Sequence, residues 1–282
     1  MATIHVRAFE VEGADGGPLR GDIRTVGDGT DRPAVVICHG FKGFKDWGFF
    51  PRIATRLANA GITSVSINFS GSGVGPDGER FSEPDRFARG TISQDLEDLA
   101  SIWTRLSKGR LVPGLGPPTA MGLFGHSRGG GTAILFVASG VTCGALVTWA
   151  AISRVRRWDD VTIDEWRARG TLPVVNSRTG EVLSLATDYL DDMERHGMGR
   201  LDIGRAAAEV TAPWLILHGE LDETVAVAEG DYLASRAGAT AVYRRIPGGS
   251  HTFGARHPWA ESTPELDDAM DATVGWMVEN LV

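Results

Sequence analysis

The sequence feature that most limits how this chain can fold is a serine held between two glycines at residues 125–129. Ser127 stands at the centre of the run Gly-His-Ser-Arg-Gly, which directly follows the short apolar segment 120–124. Glycine has no Cβ atom, so this pattern is typical of a sharp turn between a strand and a helix. Residues 130–137 are small or apolar and can continue as a buried helix. The sequence therefore predicts a strand, an exposed serine and a helix in immediate succession.

Apolar runs alternate with helical patterns along most of the chain. Strands buried on both faces are predicted at residues 34–38, 62–67, 145–149 and 214–217. Helices are predicted from apolar spacing at residues 50–60, 93–106, 226–237 and 264–281. The alternation indicates an α/β fold with a doubly wound, mostly parallel sheet, which binds ligands at the carboxyl ends of its strands. An antiparallel pair at residues 5–11 and 19–26 is predicted to open the chain.

One long segment interrupts this alternation. Residues 152–209 are polar and charged, and they contain no clear buried strand. A stretch of this length inside a compact fold is typical of an inserted subdomain or a lid. We therefore expect a mostly helical cap at residues 152–209, inserted into a core that residues 1–151 and 210–282 form. The alternative is a surface decoration with no role in the site.

Composition and charge limit the classes of partner. The chain has 282 residues and a net charge of −8, which disfavours nucleic acid as a partner, since that role needs a basic stripe. No apolar run reaches the length of a membrane span, and the first residues lack the apolar segment of a signal peptide. The expected protein is cytoplasmic, without a membrane partner, and either a monomer or a homodimer. Cys38 and Cys143 are expected to be buried, reduced thiols.

A serine nucleophile needs a histidine base to take its proton. His251 follows a glycine-containing loop that begins where the strand-like segment 241–246 ends, and catalytic groups gather at such strand ends. The sequence therefore predicts His251 as the base, with His257 as the alternative. The remaining histidines near these motifs, His39 and His126, are expected to make structural hydrogen bonds.

The base in turn needs a carboxylate that orients it. Asp222 lies just past the carboxyl end of the strand predicted at residues 214–217, after a glycine turn. Its neighbours Glu220 and Glu223 can instead be solvated loop charges, so Asp222 is the predicted carboxylate. His218, at the end of the same strand, is expected to support the turn.

Backbone N–H groups that face the developing negative charge complete such a site. Arg128, the residue after the nucleophile, is expected to supply one of them. Phe41 is expected to supply the other, because Gly40 lets the loop after residues 34–38 turn its main chain toward the serine. The alternative for this loop is a plain glycine turn.

Four motifs occur in one order along the chain: residues 39–41, 125–130, 218–222 and 249–251. They resemble the motifs of the α/β-hydrolase superfamily, with the nucleophile, acid and base in its chain order. They closely resemble its dienelactone-hydrolase-like and cinnamoyl (feruloyl) esterase-like branch of serine hydrolases. The resemblance implies the α/β-hydrolase fold and hydrolysis of a small carboxylic ester through an acyl-enzyme, with aryl, cinnamoyl or short-to-medium acyl groups as substrates.

Two positions depart from that branch. Asn68 and Ser70 replace the charged residues of a turn that the family carries as aspartate-x-arginine-glycine-x-glycine. Dienelactone hydrolases proper use a cysteine nucleophile, so Ser127 argues against that activity.

No cofactor or metal is expected. None of the seven histidines has the spacing of a motif such as H-E-x-x-H. The glycine-rich stretch at residues 71–78 lacks the lysine and hydroxyl residues of a phosphate-binding loop.

Aromatic residues near the motifs and in the cap are the predicted lining of the substrate pocket. They are Phe44 and Trp47 in the loop after residue 41, with Phe41 and Phe49 beside them, and Trp158 and Trp166 in the cap. Packing in the hydrophobic core is the open alternative for all of them.

Two other functions remain open. A serine aminopeptidase or acyl-peptide hydrolase needs carboxylates that hold a substrate ammonium, and Asp188, Asp191 and Asp192 in the cap can provide them. A ligand receptor without turnover is the second alternative, against which the complete set of catalytic residues argues.

Overall fold

The computed structural model describes residues 3–176 and 180–282. Its strands are β1 (Ile4–Glu12), β2 (Pro18–Val26), β3 (Ala34–Cys38), β4 (Thr63–Asn68), β5 (Met121–His126), β6 (Ala145–Trp149), β7 (Thr171–Val175), β8 (Val182–Ala186), β9 (Trp214–Gly219) and β10 (Ala241–Ile246). Its α-helices are α1 (Phe50–Asn59), α2 (Pro84–Arg89), α3 (Ile92–Ser107), α4 (Arg128–Ala138), α5 (Asp160–Arg169), α6 (Asp188–His196), α7 (Ile203–Glu209), α8 (Val227–Arg236) and α9 (Pro264–Leu281).

Eight of these strands form one sheet in the order β1-β2-β4-β3-β5-β6-β9-β10. β2 pairs antiparallel with both β1 and β4, and the remaining neighbours in this sheet (β4, β3, β5, β6, β9 and β10) run parallel. The carboxyl ends of the parallel strands therefore meet along one edge of the sheet. This arrangement confirms the predicted α/β-hydrolase fold with a mostly parallel sheet.

Both faces of the sheet are covered by helices, because the central strands are apolar on both sides. In β3, Val35 and Ile37 pack with α1 and α9, whereas Val36 and Cys38 belong to the core on the opposite face. Successive side chains of a strand point to opposite faces, so a continuous apolar run fills two cores at once. This is why the run at 34–38 predicts a central strand with the bounds that the structure has.

The segment 152–209 contains helices α5, α6 and α7 and a separate antiparallel pair, β7 with β8. The expectation of a mostly helical cap therefore missed a β-hairpin. Strand β7 alternates between exposed and half-buried residues, so it has no continuous apolar run that a sequence reading would detect. Helix α7 packs against α4 and α8 of the main fold, while β8 packs against α2.

Both cysteines are free, but their positions differ from each other. Cys38 ends β3 and is fully buried, whereas Cys143 precedes β6 in a loop and is partly exposed. Burial raises the pKa of both thiols. In the part of the chain that the structure describes, no helix is long and apolar enough to cross a membrane. The cytoplasmic location stays a prediction.

The end of β3 lies directly against the start of α4. A Cβ atom placed on Gly129 would lie 2.3 Å from the His39 carbonyl oxygen, and one on Gly125 would lie 2.3 Å from the Gly129 carbonyl oxygen. Only residues without a side chain permit this approach, because both contacts are with rigid backbone atoms. The glycines of the 125–129 run are therefore required by packing as well as by the turn.

We expect Gly129→Ala to lower the free energy of unfolding by about 3 kcal/mol, because the added methyl group separates β3 from α4. Gly275→Ala is the matched control. Gly275 also lies in a helix, with open space around a built Cβ. There alanine should raise stability by about 0.5–1 kcal/mol. Urea titration measures both, and a Gly129→Ala protein as stable as the wild type would contradict this packing.

Candidate active site

Ser127 occupies a strained backbone conformation between β5 and α4, with φ 57° and ψ −120°. Such a conformation costs about 1–3 kcal/mol in a residue with a side chain and persists only where its surroundings hold it. The Ser127 N–H donates to the Trp149 carbonyl at 2.8 Å. Its own carbonyl accepts from the N–H groups of Gly131 at 3.1 Å and Ile152 at 3.2 Å. These three hydrogen bonds fix the serine at the carboxyl ends of β5 and β6.

Asp222 and His251 form a close hydrogen-bonded pair. The His251 Nδ1 lies 2.8 Å from the Asp222 Oδ2, in the loops after β9 and β10. The other oxygen, Oδ1, accepts from the N–H groups of Thr224 and Val225, each at 2.8 Å. The carboxylate is therefore held from both sides, and an Nδ1–H directed at it leaves the His251 Nε2 as a base.

A second histidine contacts the same carboxylate. The fully buried His218 places its Nε2 2.8 Å from the Val225 carbonyl oxygen and 3.3 Å from the Asp222 Oδ2. Burial favours the neutral acid, but the hydrogen bonds from His218 and His251 outweigh it and hold the pKa of Asp222 below its usual range. His218 thus supports the turn, as expected, and also keeps the carboxylate ionised.

Ser127 and His251 line one cavity of about 700 Å³. The structure thus brings all three predicted catalytic residues to this site, with Asp222 behind His251. His257, the alternative base, lies elsewhere on the cavity wall. Its Nδ1 accepts from the Gly48 N–H at 3.1 Å, and its ring stacks on Trp47. The geometry therefore favours His251 over His257.

The loop after β3, which carries one predicted oxyanion donor, lies directly against the serine. A Cβ atom built on Gly40 would lie 2.9 Å from the Ser127 Cβ. Phe41 follows in this loop and lines the cavity. Arg128 is the first residue of α4, where an N–H group has no partner within the helix and the helix dipole favours negative charge. Both predicted donors therefore belong to segments that adjoin Ser127.

The Arg128 side chain forms an ion pair with the buried Asp95. Its Nε and Nη2 lie 2.9 Å and 2.8 Å from the Asp95 Oδ2. Its guanidinium lies between the rings of Phe41 and Tyr189, at 5.8 Å and 5.5 Å from their centroids. One side chain thus connects helix α3, the loop after β3 and cap helix α6.

Asp95 is a site residue that the sequence reasoning missed. It lies on the buried face of α3, between Ile92 and Leu99 at helical spacing. Burial raises its pKa to about 7, against the opposing effect of Arg128. An aspartate inside an apolar helical stripe was the available signal, since buried charges are normally paired.

His39 and His126 make the structural hydrogen bonds expected of them. The His39 Nδ1 lies 2.8 Å from the Gly40 carbonyl oxygen, and its Nε2 accepts from the Phe69 N–H at 3.3 Å. The His126 Nε2 lies 2.9 Å from the His251 carbonyl oxygen. Burial, the main cause, lowers the pKa of His39 to about 4 and that of His126 to about 3. Both rings are therefore neutral near pH 7.

The predicted aromatic pocket is only partly at the cavity. Trp47 lines it, together with Phe50. Phe44 is fully buried in the core, and Trp166 is fully buried in the cap, where its ring packs edge-on against Trp158. Trp158 is partly exposed and packs against the same core as Trp166, and none of the three side chains lines the cavity.

The acidic residues of the cap also lie away from the serine. Asp191 pairs with Arg167 at 2.6 Å, and Asp192 accepts from the backbone and side chain of Ser93. Asp188 lines a different cavity, beside Arg86 and Arg89. They are therefore not placed to hold a substrate ammonium near Ser127.

Comparison with known proteins agrees with this geometry. Residues 35–265 match the model of the family described as "Alpha/beta hydrolase family". The chain belongs to the alpha/beta hydrolase family. This hydrolase is 26% identical over 278 residues to a monoacylglycerol lipase of Mycolicibacterium smegmatis, covering 90% of this chain and 91% of that protein.

Solved structures share the fold of this hydrolase at low identity. Est1E from Butyrivibrio proteoclasticus with bound ferulic acid is 19% identical, with a TM-score of 0.73 over 95% of this chain and 98% of the other. The esterase domain of a Rhodothermus marinus protein is 14% identical, with a TM-score of 0.65 over 98% of each chain. At these identities the likeness shows the fold alone.

The structure offers no preformed metal site within residues 3–176 and 180–282. No group of three or more histidine, cysteine or acidic side chains lies close enough together to hold an ion.

We expect this hydrolase to lose stability as the pH falls from about 6.5 to about 4. The unfolded chain binds protons on histidine near pH 6.5, whereas folded His39 binds one only near pH 4. A lowered folded pKa gives stability that is present above the unfolded pKa and is lost below it. At pH 5 this difference costs roughly 2 kcal/mol for His39.

Urea titrations at several pH values measure this loss. The His39→Asn variant can still donate to the Gly40 carbonyl, and its unfolding free energy should change less between pH 7 and pH 5 than that of the wild type. His5→Asn replaces an exposed histidine on β1 and should retain the full pH dependence. If the unfolding free energy of His39→Asn depended on pH as strongly as that of the wild type, the assignment of a neutral, buried His39 would be contradicted.

Proposed function

We propose that this chain is a serine hydrolase that cleaves carboxylic esters through an acyl-enzyme. The observation that carries the proposal is the strained Ser127, which shares a cavity with His251 while Asp222 holds the far side of the imidazole at 2.8 Å. A nucleophile, a base and an orienting acid in this order are the parts that acyl transfer requires. The lipase and esterases that resemble the chain support an ester as the substrate class.

Acylation begins when the His251 Nε2 takes the proton of the Ser127 hydroxyl as Oγ attacks the ester carbonyl. The carbonyl oxygen becomes an oxyanion, which the N–H groups of Phe41 and Arg128 stabilise. Asp222 fixes the imidazole tautomer and stabilises the imidazolium. His251 then returns the proton to the leaving alcohol, so the carbon–oxygen bond breaks and the acyl group stays on Ser127.

Deacylation repeats these steps with water. His251 takes a proton from the water as its oxygen attacks the acyl-enzyme, and the same N–H groups hold the second oxyanion. When that intermediate collapses, His251 protonates the Ser127 Oγ and the carboxylic acid leaves. The ionised Asp222 serves both halves, because its low pKa keeps its charge near neutral pH.

Residues 152–209 act, in this proposal, as a cap beside the cavity. The Lys42 Nζ donates to the Val175 carbonyl at 2.8 Å, which connects the loop after β3 to the end of β7. Asn176 follows and lines the cavity. A cavity of about 700 Å³ with Trp47 and Phe50 in its wall suits an aryl or medium-chain acyl group.

The aminopeptidase alternative is not favoured. An amino-terminal substrate needs a carboxylate at the cavity, and the candidates Asp191 and Asp192 have partners elsewhere. The similarity to a monoacylglycerol lipase also favours an ester as the substrate. A receptor without turnover gives no reason for the strained conformation of Ser127.

We expect Ser127→Ala to lower kcat for ester hydrolysis by about a million-fold, since the nucleophile is lost. Asp222→Asn should lower it by about ten-thousand-fold, because His251 then adopts the wrong tautomer. Initial rates with 4-nitrophenyl esters of graded acyl length, methyl ferulate, and alanine and proline 4-nitroanilides measure both effects and the substrate preference.

Ser107→Ala is the matched control, because this exposed serine lies at the far end of α3 from the cavity. It should keep the wild-type rate. Ester hydrolysis by Ser127→Ala at a rate near wild type would contradict the proposal. Faster turnover of the anilides than of the esters would support the peptidase instead.

A further inference from the structure

The active-site cavity carries positive charge in a protein of net charge −8. Lys42 and Arg256 both line it. Among the described residues of its lining, none is an aspartate or a glutamate. A cavity wall that contains cations and no acidic side chain favours negatively charged ligands.

Lys42 is the better placed of the two cations. It lies one residue beyond Phe41, the proposed oxyanion donor, in a left-handed conformation with φ 57°. Its ammonium is half-buried, and this burial lowers the pKa of the side chain. One N–H donates to the Val175 carbonyl, which leaves two of its three donors for a ligand.

No carboxylate neutralises this charge within the described part of the chain. The ion pairs found there include neither Lys42 nor Arg256 as a member. Two buried carboxylates of this region already have partners, since Asp95 pairs with Arg128 and Asp222 with His251. An anion entering the cavity therefore meets unpaired cations and no acidic side chain in the described wall.

Another part of the cavity wall is apolar, so a matching substrate has both a charged and an apolar part. Trp47 and Phe50 provide an apolar surface, and the His257 ring stacks on Trp47. Thr224 and Thr252 are neutral. A substrate that fits has an apolar body and a negatively charged group placed to reach Lys42 or the exposed Arg256.

We propose that Lys42, assisted by Arg256, selects esters that carry a negatively charged group, such as a carboxylate, in addition to the scissile ester. This proposal rests on the function proposed above and names its substrate class. Charge-assisted hydrogen bonds in a partly dehydrated site are about twice as strong as neutral ones. The anionic group can lie on the acyl side or on the alcohol side of the ester, and the experiment distinguishes these two cases.

Two matched substrate pairs test the proposal. The first is mono-(4-nitrophenyl) adipate against its methyl ester, with the charge in the acyl chain. The second is 4-acetoxybenzoate against methyl 4-acetoxybenzoate, with the charge in the leaving group. We expect kcat/KM to be about tenfold higher for the anionic member of at least one pair, and we expect added salt to reduce that ratio.

Variants show how much each of the two cations contributes to the ratio of kcat/KM between the anionic and the neutral substrate of a pair. Lys42→Met should reduce it about tenfold, Arg256→Gln should reduce it by a smaller factor, and Lys42→Arg should restore most of it. The ratio is the readout because a change beside Phe41 can also alter the rate with both members of a pair. Lys108→Met, at the exposed end of α3, is the matched control and should leave both rates unchanged.

The proposal would be overturned if the wild type had a kcat/KM for the anionic substrate near or below that for the neutral substrate in both pairs. A high ratio that survives in both Lys42→Met and Arg256→Gln would overturn it as well. Failure of the proposed function has a different signature, since no Ser127-dependent turnover would occur with any ester. In that case the Ser127→Ala protein, titrated calorimetrically with the acetoxybenzoate pair, still tests the preference for the anion.

Discussion

The contact between the end of β3 and the start of α4 is the constraint on which the rest of this site depends. Gly129 brings the helix against the His39 carbonyl, and Gly125 permits the turn between strand and helix. Gly40 also lies directly against Ser127, so one packing arrangement positions both the proposed nucleophile and the loop of the proposed oxyanion hole. The strain at Ser127 is sustained because hydrogen bonds from three different segments hold its backbone.

Most ionisable side chains around Ser127 are either held in a fixed ion pair or hydrogen-bond network, or kept neutral by burial. Asp222 is ionised and fixed by four hydrogen-bond donors, and the neighbouring His39 and His126 are kept neutral by burial. Asp95 neutralises Arg128 away from the serine. The cations that remain at the cavity, such as Lys42, are therefore free to act on the substrate. In this account, one group of residues positions the catalytic side chains, and another group, which includes Lys42, selects the substrate.

The sequence predicted the centre of the sheet well because the central strands are buried on both faces. The bounds predicted for β3 and β6 agree with the structure, and so do those of α9. The β7–β8 hairpin was missed because its strands are half-exposed and carry no continuous apolar run. The positions of Trp158 and Trp166 were not predictable either. Whether an aromatic ring lines a cavity or fills a core depends on contacts distant in sequence, here with Tyr189.

The most direct test of the central claim is covalent labelling with a fluorophosphonate, followed by peptide mapping and residual ester turnover. A serine activated by His251 attacks phosphorus as it attacks a carbonyl. The account predicts one label per chain, on Ser127, with ester hydrolysis lost in proportion to labelling and no reaction of the Ser127→Ala protein. A label on another residue, or hydrolysis that persists after Ser127 is fully labelled, would contradict the account.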